Sequence, residues 1–450
     1  MPGYAGRRVL VAGAAMAGVA AAEALVTAGA VVTVLDRAAS DRTEALAATG
    51  VDVVIATDPP PGLLDGVDEV VVSPGFPPHH PLAVAALAAG LDVYSEPELA
   101  WRLRGPDAPD WLAVTGTNGK TTTTTMLAAI LAAAGHRTAA LGNVGAPLVA
   151  VSADRSAYDV LAVELSSFQL HWSSRLAPRG GALLNLADDH LDWHGSFAAY
   201  ARAKTWIWRD PTGIAVGNAD DPLVAAELPA RGTAVTTRTP EPGQYGVREG
   251  MLVDGAGRVL VAVDAVRPAG IHNVSNALHA AALAVEYGVA PEAIRAGLTG
   301  YTPQPHRNAY VATVAGVSYV DDSKATNPHA ALASLLAYPR IVWIAGGQLK
   351  GVDVDDLVGR VADRLVGAVL LGVDRAEVAR ALARHAPRLP VVDVASTHDG
   401  AMGEVVRAAA GLARPGDTVL LAPAAASLDM YASYAKRGDA FAAAVRALPG

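Results

Sequence analysis

The stretch TGTNGKTTTTT, residues 115–125, decides how this chain is read. Before it runs WLAVTG, an apolar stretch suited to a buried strand; after it runs KTTTTTMLAAILAAAG, whose alanines and leucines suit a helix. A strand, a glycine-bearing turn and a helix in that order aim backbone N–H groups at one point, at the positive end of a helix dipole. That is a place for phosphate. The usual phosphate-loop pattern, G-x-x-x-x-G-K-[ST], is met only at its end, by Gly119, Lys120 and Thr121; Val114 stands where the first glycine belongs. Gly116, Thr117, Asn118, Gly119, Lys120, Thr121 and Thr122 are the expected nucleotide contacts, with Lys120 reaching the β and γ phosphates and Thr121 ligating magnesium. Thr123 to Thr125 read as packing residues. The competing reading is a helix N-terminus with a chance Gly-Lys pair.

Outward from the loop, β-branched runs alternate with alanine-rich ones to both ends of the chain, which argues for α/β architecture with parallel sheets. RRVLVAG, AVVTVLD, VDVVIAT and DEVVVSPG form a first block of strands. WLAVTGT, DVLAVELSS, GALLNLADD and GIAVGNADD form a second, and YVATVAG, VSYVDDS, RIVWIAGG, VGAVLLG, LPVVDV and DTVLLAP a third. Proline-bearing polar stretches, RGPDAP at 104–109 and YTPQPHRN at 301–308, separate them as linkers do. The expectation is three α/β domains: a Rossmann-like domain over 1–98, a central ATPase domain of phosphate-loop type with a mostly parallel sheet over 99–303, and a Rossmann-like C-terminal domain over 304–450.

Composition narrows the partners. The 450 residues exceed one ordinary core, and 52% hydrophobic against 18% charged content indicates packed domains. A net charge of −9 with no basic run argues against nucleic acid. The absence of cysteine removes disulfides, thiolate metal sites and cysteine nucleophiles, leaving oxygen or imidazole for any metal. No apolar run approaches the length of a membrane span. RRVLVAGAAMAGVAAAEALV has features of a secretory signal, but Gly13, Gly18 and Glu23 interrupt it and VVTVLDR continues the strand rhythm. A cytoplasmic protein is expected.

Other motifs sit where strands should end, the side on which α/β folds gather ligands. GAAMAG, residues 13–18, is a weakened dinucleotide fingerprint with Ala15 in place of the second glycine, and Asp36 lies where a ribose-binding acid would. An NAD-dependent oxidoreductase is the rival that these residues raise; it leaves GTNGKTT unexplained. AVELSS carries Glu164, and NLADDHLDWHGS carries His190 among four acidic or imidazole neighbours, a possible magnesium site or a solvated turn. Lys204, on a helical stretch, reads by itself as a surface lysine. In the third block VDDSKATNP supplies Asp322 and Lys324, GGQLKG supplies Lys350, and the final APAAASLDMYASYAKRGDAF supplies Ser427 and Tyr434, polar groups at three strand ends that suggest a second substrate.

Taken together, TGTNGKTT, ELSSFQL, DDH with Lys204 downstream, GIHNVSNALHA, PHR, DDSKATNP, GGQLKG and ASLDMYASYAKRGDAF resemble, in the same order and over nearly the whole chain, the Mur ligases of peptidoglycan synthesis. TGTNGKTT is also similar to the loop of folylpolyglutamate synthase. DSKATNP and ELSSFQL look like the branch that works on UDP-N-acetylmuramoyl-L-alanine and D-glutamate; a sister ligase adding another amino acid, such as L-glutamate, is the near alternative, and a nucleotide-binding regulator that kept the fold is a further one. The resemblance implies an ATP-consuming amide ligase acting through an acyl phosphate, with two magnesium ions, working as a monomer. It implies catalytic roles for Lys120, His190 and Lys204, the last carbamylated by carbon dioxide, and metal contacts from Thr121, Glu164, His190 and Lys204. It assigns Asn273, Asn276, Arg307, Asp322 and Lys324 to ATP. It assigns Ala14, Ala15, Asp36, Arg37, Ser73 and Gly75 to the UDP part, Asn143 and His190 to the rest of that substrate, and Thr326, Lys350, Ser427 and Tyr434 to D-glutamate.

Overall fold

Sequence runs with no polar face become strands buried on both sides. Residues 9–12, 112–114 and 341–345 are each almost wholly buried, and each is the heart of a different sheet. The computed structural model describes residues 3–151, 157–396 and 398–449. Among these, the first sheet comprises β1 (Arg8–Ala12), β2 (Val31–Asp36), β3 (Asp52–Ile55), β4 (Glu69–Val72) and β5 (Asp92–Ser95), in the order β3-β2-β1-β4-β5 with every pair parallel. The order reverses at β1, so the turns after β1 and β4, carrying 13–18 and 73–76, flank the crevice where such sheets take ligands.

The second sheet comprises β6 (Asp110–Thr115), β7 (Ala140–Gly142), β8 (Val160–Glu164), β9 (Gly180–Leu183), β10 (Ile214–Asn218) and β11 (Thr233–Val235), ordered β11-β10-β9-β6-β8-β7 and again parallel throughout. The phosphate-loop strand β6 lies between β8 and β9, which brings the ends of all three together. A small antiparallel sheet follows: β12 (Gly246–Arg248), β13 (Met251–Val253) and β14 (Val259–Ala262). The third large sheet comprises β15 (Ala309–Val314), β16 (Val317–Asp321), β17 (Ile341–Ala345), β18 (Leu365–Leu370), β19 (Val391–Asp393) and β20 (Thr418–Leu421), ordered β15-β16-β20-β17-β18-β19. Its edge strand β15 runs antiparallel to β16, a departure from the all-parallel expectation that follows from the tight turn at Ala315 and Gly316. Strands β5, β7, β11 and the antiparallel trio are too short, at three or four residues each, to stand out as runs in the sequence.

The chain packs into two compact units, Met1–Ala265 with Ser275–Gly300, and Val266–Val274 with Tyr301–Gly450. Within the first unit the first two sheets share one apolar core, in which Val9, Leu25, Val34 and Tyr94 join Trp111, Leu161, Leu183 and Ile207. The helix Glu96–Leu103 rivets them. Glu98 is fully buried, and its carboxylate accepts the Arg175 N–H at 2.9 Å, the Leu176 N–H at 2.8 Å and Arg102 Nε at 3.0 Å. Arg102 reaches back to Asp92 at 2.7 Å. Charge-assisted bonds of this kind contribute about 1.5–3 kcal/mol each. Among the described residues no helix is long and apolar enough to cross a membrane.

Candidate active site

The loop after β6 is tightly determined. Gly116 has φ +155° and Gly119 φ +84°, both in the region that favours glycine, and a Cβ at Gly119 would collide with Asn276 Oδ1. Gly119 caps the helix Lys120–Ala133. Lys120 Nζ folds back over the loop and donates to Gly116 O and Thr117 O, each at 3.0 Å. Thr117 Oγ1 meets the Tyr200 hydroxyl at 2.7 Å. Thr122 lies in the first helical turn, and Thr123, Thr124 and Thr125 are buried in the helix face, as packing residues should be.

Glu164, at the end of β8, is 2% exposed. Its Oε2 accepts from Thr121 Oγ1 at 2.6 Å and its Oε1 from Asn143 Nδ2 at 2.8 Å. The residues expected to hold magnesium and to touch substrate thus meet at one carboxylate. Lys204, on the helix Phe197–Thr205, is no surface lysine: it is 2% exposed. Its Nζ donates to Gly116 O at 2.8 Å and to Thr115 Oγ1 at 3.4 Å, and lies 4.9 Å from the centre of the Tyr200 ring. Burial, helped by the charge of Lys120, holds its amine well below the ordinary lysine range, against the pull of Asp189 and Glu164.

His190 adopts the left-handed conformation, φ +53°, at the head of the turn Leu191–His194. Its ring packs on Phe168 at 4.6 Å and its Nε2 lies 3.4 Å from Asp189. Desolvation lowers its pKa, with Lys120 and Lys204 acting the same way. Among the described residues no three His, Cys, Asp or Glu side chains converge as a metal cluster.

Of the residues assigned to the UDP end, Asp36 Oδ2 accepts the Ala14 N–H at 2.6 Å and Ser73 Oγ donates to Gly13 O at 3.3 Å. Ala15 caps the helix Met16–Thr27 with no side-chain bond of its own, while Arg37 and Gly75 are exposed. The 73–76 turn is pinned by the helical turns that follow β9 and β8: Trp193 Nε1 donates to Pro74 O at 3.2 Å and Trp172 Nε1 to Phe76 O at 3.1 Å.

In the second unit the turns after β16, β17 and β20, neighbouring strands in the sheet, come together. Arg437, 1% exposed, joins two of them by donating to Ser323 Oγ at 2.9 Å and Ala425 O at 3.1 Å. Gln348 and Ala426 exchange backbone bonds of 2.9 Å, placing Lys350, at φ +55°, and Ser427, buried at 3% exposure, on adjoining turns. Lys324 Nζ stands 4.2 Å over the Tyr434 ring, and Thr326 N donates to Lys324 O at 2.8 Å. Asp322 accepts the Asn308 N–H at 3.0 Å and the Ser334 hydroxyl, and burial raises its pKa to about 6. Arg307 is partly buried beside His306, which pairs with Asp321 at 2.6 Å. Asn273 bonds His272 Nε2 at 2.9 Å within the second unit, whereas Asn276 belongs to the first.

The sequence reading missed Tyr200, Asn185 and the two tryptophans, and took Arg437 only as one polar residue of the final motif. Tyr200 carried a signal, since it lies one helical turn before Lys204 and so shares its face. The tryptophans, and Arg437 in its bond to Ser323, act across distances in sequence that no local pattern displays.

Comparison with known proteins fits this arrangement. Residues 114–284 match the model of the Mur ligase middle domain, and residues 306–425 that of the Mur ligase glutamate ligase domain. The UDP-N-acetylmuramoylalanine--D-glutamate ligase of Thermobifida fusca is 51% identical over 99% of both chains, and that of Streptomyces avermitilis 50% identical over 100% of both. In fold, the chain matches the crystal structure of UDP-N-acetylmuramate-alanine ligase from Thermotoga maritima with a TM-score of 0.60 at 18% identity, covering 98% of this chain and 99% of that one. The chain belongs to the Mur ligase family.

Proposed function

We propose that this protein is an ATP-dependent amide ligase that joins D-glutamate to UDP-N-acetylmuramoyl-L-alanine, releasing ADP and phosphate. The observation that carries the proposal is full-length identity of about half to ligases of that name, in a chain that keeps the Lys120, Thr121, Glu164 and Lys204 constellation. The alanyl carboxylate takes the γ-phosphoryl group of ATP, and the D-glutamate amine then attacks the acyl phosphate and expels phosphate. The division proposed for this work is 1–98 for the UDP end, 99–303 for ATP and 304–450 for the amino acid.

The physical difficulty is the meeting of a triphosphate, a carboxylate and a dicarboxylate. Lys120 offers a cation beside the loop to the transferred group. Thr121 and Glu164 suit magnesium: both present oxygen, and this ion is commonly held by one or two protein ligands together with phosphate oxygens. Bound there, magnesium would neutralise charge on the phosphates. Lys204 is shifted toward its neutral amine, the form that adds carbon dioxide with loss of a proton to give a carbamate. That change turns a buried amine into an anion able to serve a second magnesium. His190, half-exposed at the same end of the sheet, faces the sugar-peptide substrate together with Asn143. Asp36 and Ser73 hold the 13–18 turn for the UDP phosphates, with the helix end supplying the positive pole. Lys350, Ser427, Thr326 and Tyr434 receive the dicarboxylate; Arg307, Asp322 and Lys324, with Asn273 and Asn276, serve ATP. The protein acts in the cytoplasm as a monomer.

The test is phosphate release from ATP with UDP-N-acetylmuramoyl-L-alanine, magnesium and bicarbonate, and with D-glutamate, L-glutamate or neither. Release with D-glutamate alone is expected. Release with L-glutamate alone would keep the chemistry and overturn the product.

A further inference from the structure

The phosphate loop has valine where the usual pattern has its first glycine, and its backbone is held from outside instead. Asn185, just beyond β9, clasps one loop residue at two points. The Asn118 N–H donates to Asn185 Oδ1 at 2.8 Å, and Asn185 Nδ2 donates to Asn118 O at 3.1 Å. The main chain adds a third bond, from Thr117 N–H to Asn185 O at 3.0 Å. A Cβ on Gly116 would stand 3.0 Å from Leu184 Cβ and 3.3 Å from Asn185 N, so the loop lies directly against the end of β9. The clasp needs an acceptor and a donor on one side chain; a carboxylate lacks the donor and an ammonium the acceptor.

This engagement decides which N–H groups can serve a phosphate. Those of Thr117 and Asn118 are committed to Asn185. The helix that follows opens at Lys120, with Thr123 N donating to Gly119 O at 2.9 Å, and its N-terminal end is the positive pole of its dipole. An anion at this loop therefore faces the helix pole rather than the N–H groups of Thr117 and Asn118.

We propose that Asn185 is a positioning residue for ATP: it fixes the loop in the shape that turns the helix pole toward the phosphates, and so substitutes for the missing glycine. The inference rests on the reading of this loop as the ATP site. Its test compares the full-length protein with its Asn185→Ala and Asn185→Asp variants. Magnesium with a non-hydrolysable ATP analogue is titrated by calorimetry, KM and kcat are measured for each substrate, and melting is followed without nucleotide. Asn185→Ala should weaken the analogue and raise the KM for ATP about tenfold, with the KM for the UDP substrate unchanged and kcat at saturating ATP within about threefold. Asn185→Asp keeps the acceptor for Asn118 N–H but sets a negative charge against Asn118 O and the phosphates, and should weaken ATP further. Variants that melt earlier yet bind the analogue as tightly as the unaltered protein would show a merely structural residue and overturn the role of Asn185 alone. Failure of the folded, unaltered protein to bind the analogue would overturn both this inference and the functional reading beneath it.

Discussion

Two turns in the first unit look alike on paper and differ in equipment. GAAMAG at 13–18 and GTNGKT at 116–121 each follow a central parallel strand and open a helix, so each offers an anion the same helix pole. Around the first stand Asp36, bonded to the Ala14 N–H, and Ser73, bonded to Gly13 O; no lysine is part of its sequence. Around the second stand Lys120 over two loop carbonyls, Thr121 on Glu164, and Lys204 buried against Gly116 O. A helix pole can hold a phosphate that stays intact. Moving a phosphoryl group needs cations and a metal carboxylate placed where charge develops. Glycine content does not separate the two turns; what the neighbouring strands bring to them does.

Removing the equipment from the second turn should break the contrast most severely. Lys120→Ala should lower turnover by roughly a thousandfold, while its partly exposed side chain leaves the melting temperature nearly unchanged; phosphate release and thermal melting read the two. Glu164→Gln keeps an acceptor for Thr121 but removes the charge. It should cost about a hundredfold in turnover and demand more magnesium for half-maximal rate, read from a magnesium titration.

Lys204 sharpens the comparison through pH. Its pKa is depressed in the fold below the ordinary 10.5, so between the depressed value and 10.5 the unfolded chain binds more protons than the native one. Stability in carbon dioxide-free buffer should therefore rise with pH through that window. Lys204→Met should flatten the rise, as urea unfolding at a series of pH values would register. The smallest effect is expected at the first turn's support. Trp193→Phe removes the bond to Pro74 O and should raise the KM for the UDP substrate about threefold without altering that for ATP.

What the sequence discloses follows the range of the forces involved. The phosphate loop, its strand and its helix are local, and 111–135 can be read residue by residue. The central buried strands are legible because a run such as IVWIA has only one way to hide from water. Lys204 is different. Its burial depends on β6, the loop and Tyr200 closing over it, so its own helix suggests only a surface residue. Asn185 sits inside a motif, NLADD, whose acidic residues drew attention away from it; its role exists only because β9 lies beside β6 in the sheet. The turns of the second unit could be suspected singly, and Arg437 as one polar residue of the last motif, but its tie from Ser323 to Ala425 is not written there.

We propose that the two turns divide the ligands, the first taking the UDP end and the second ATP. Calorimetric titration of the unaltered protein, Asp36→Ala and Lys120→Ala with the UDP substrate, with a magnesium–ATP analogue and with NAD tests it most directly. The account predicts that Asp36→Ala weakens only the UDP substrate, by about tenfold, that Lys120→Ala weakens only the ATP analogue, and that NAD binds none of the three proteins. Loss of ATP analogue binding in Asp36→Ala, or NAD binding that Asp36→Ala abolishes, would contradict it.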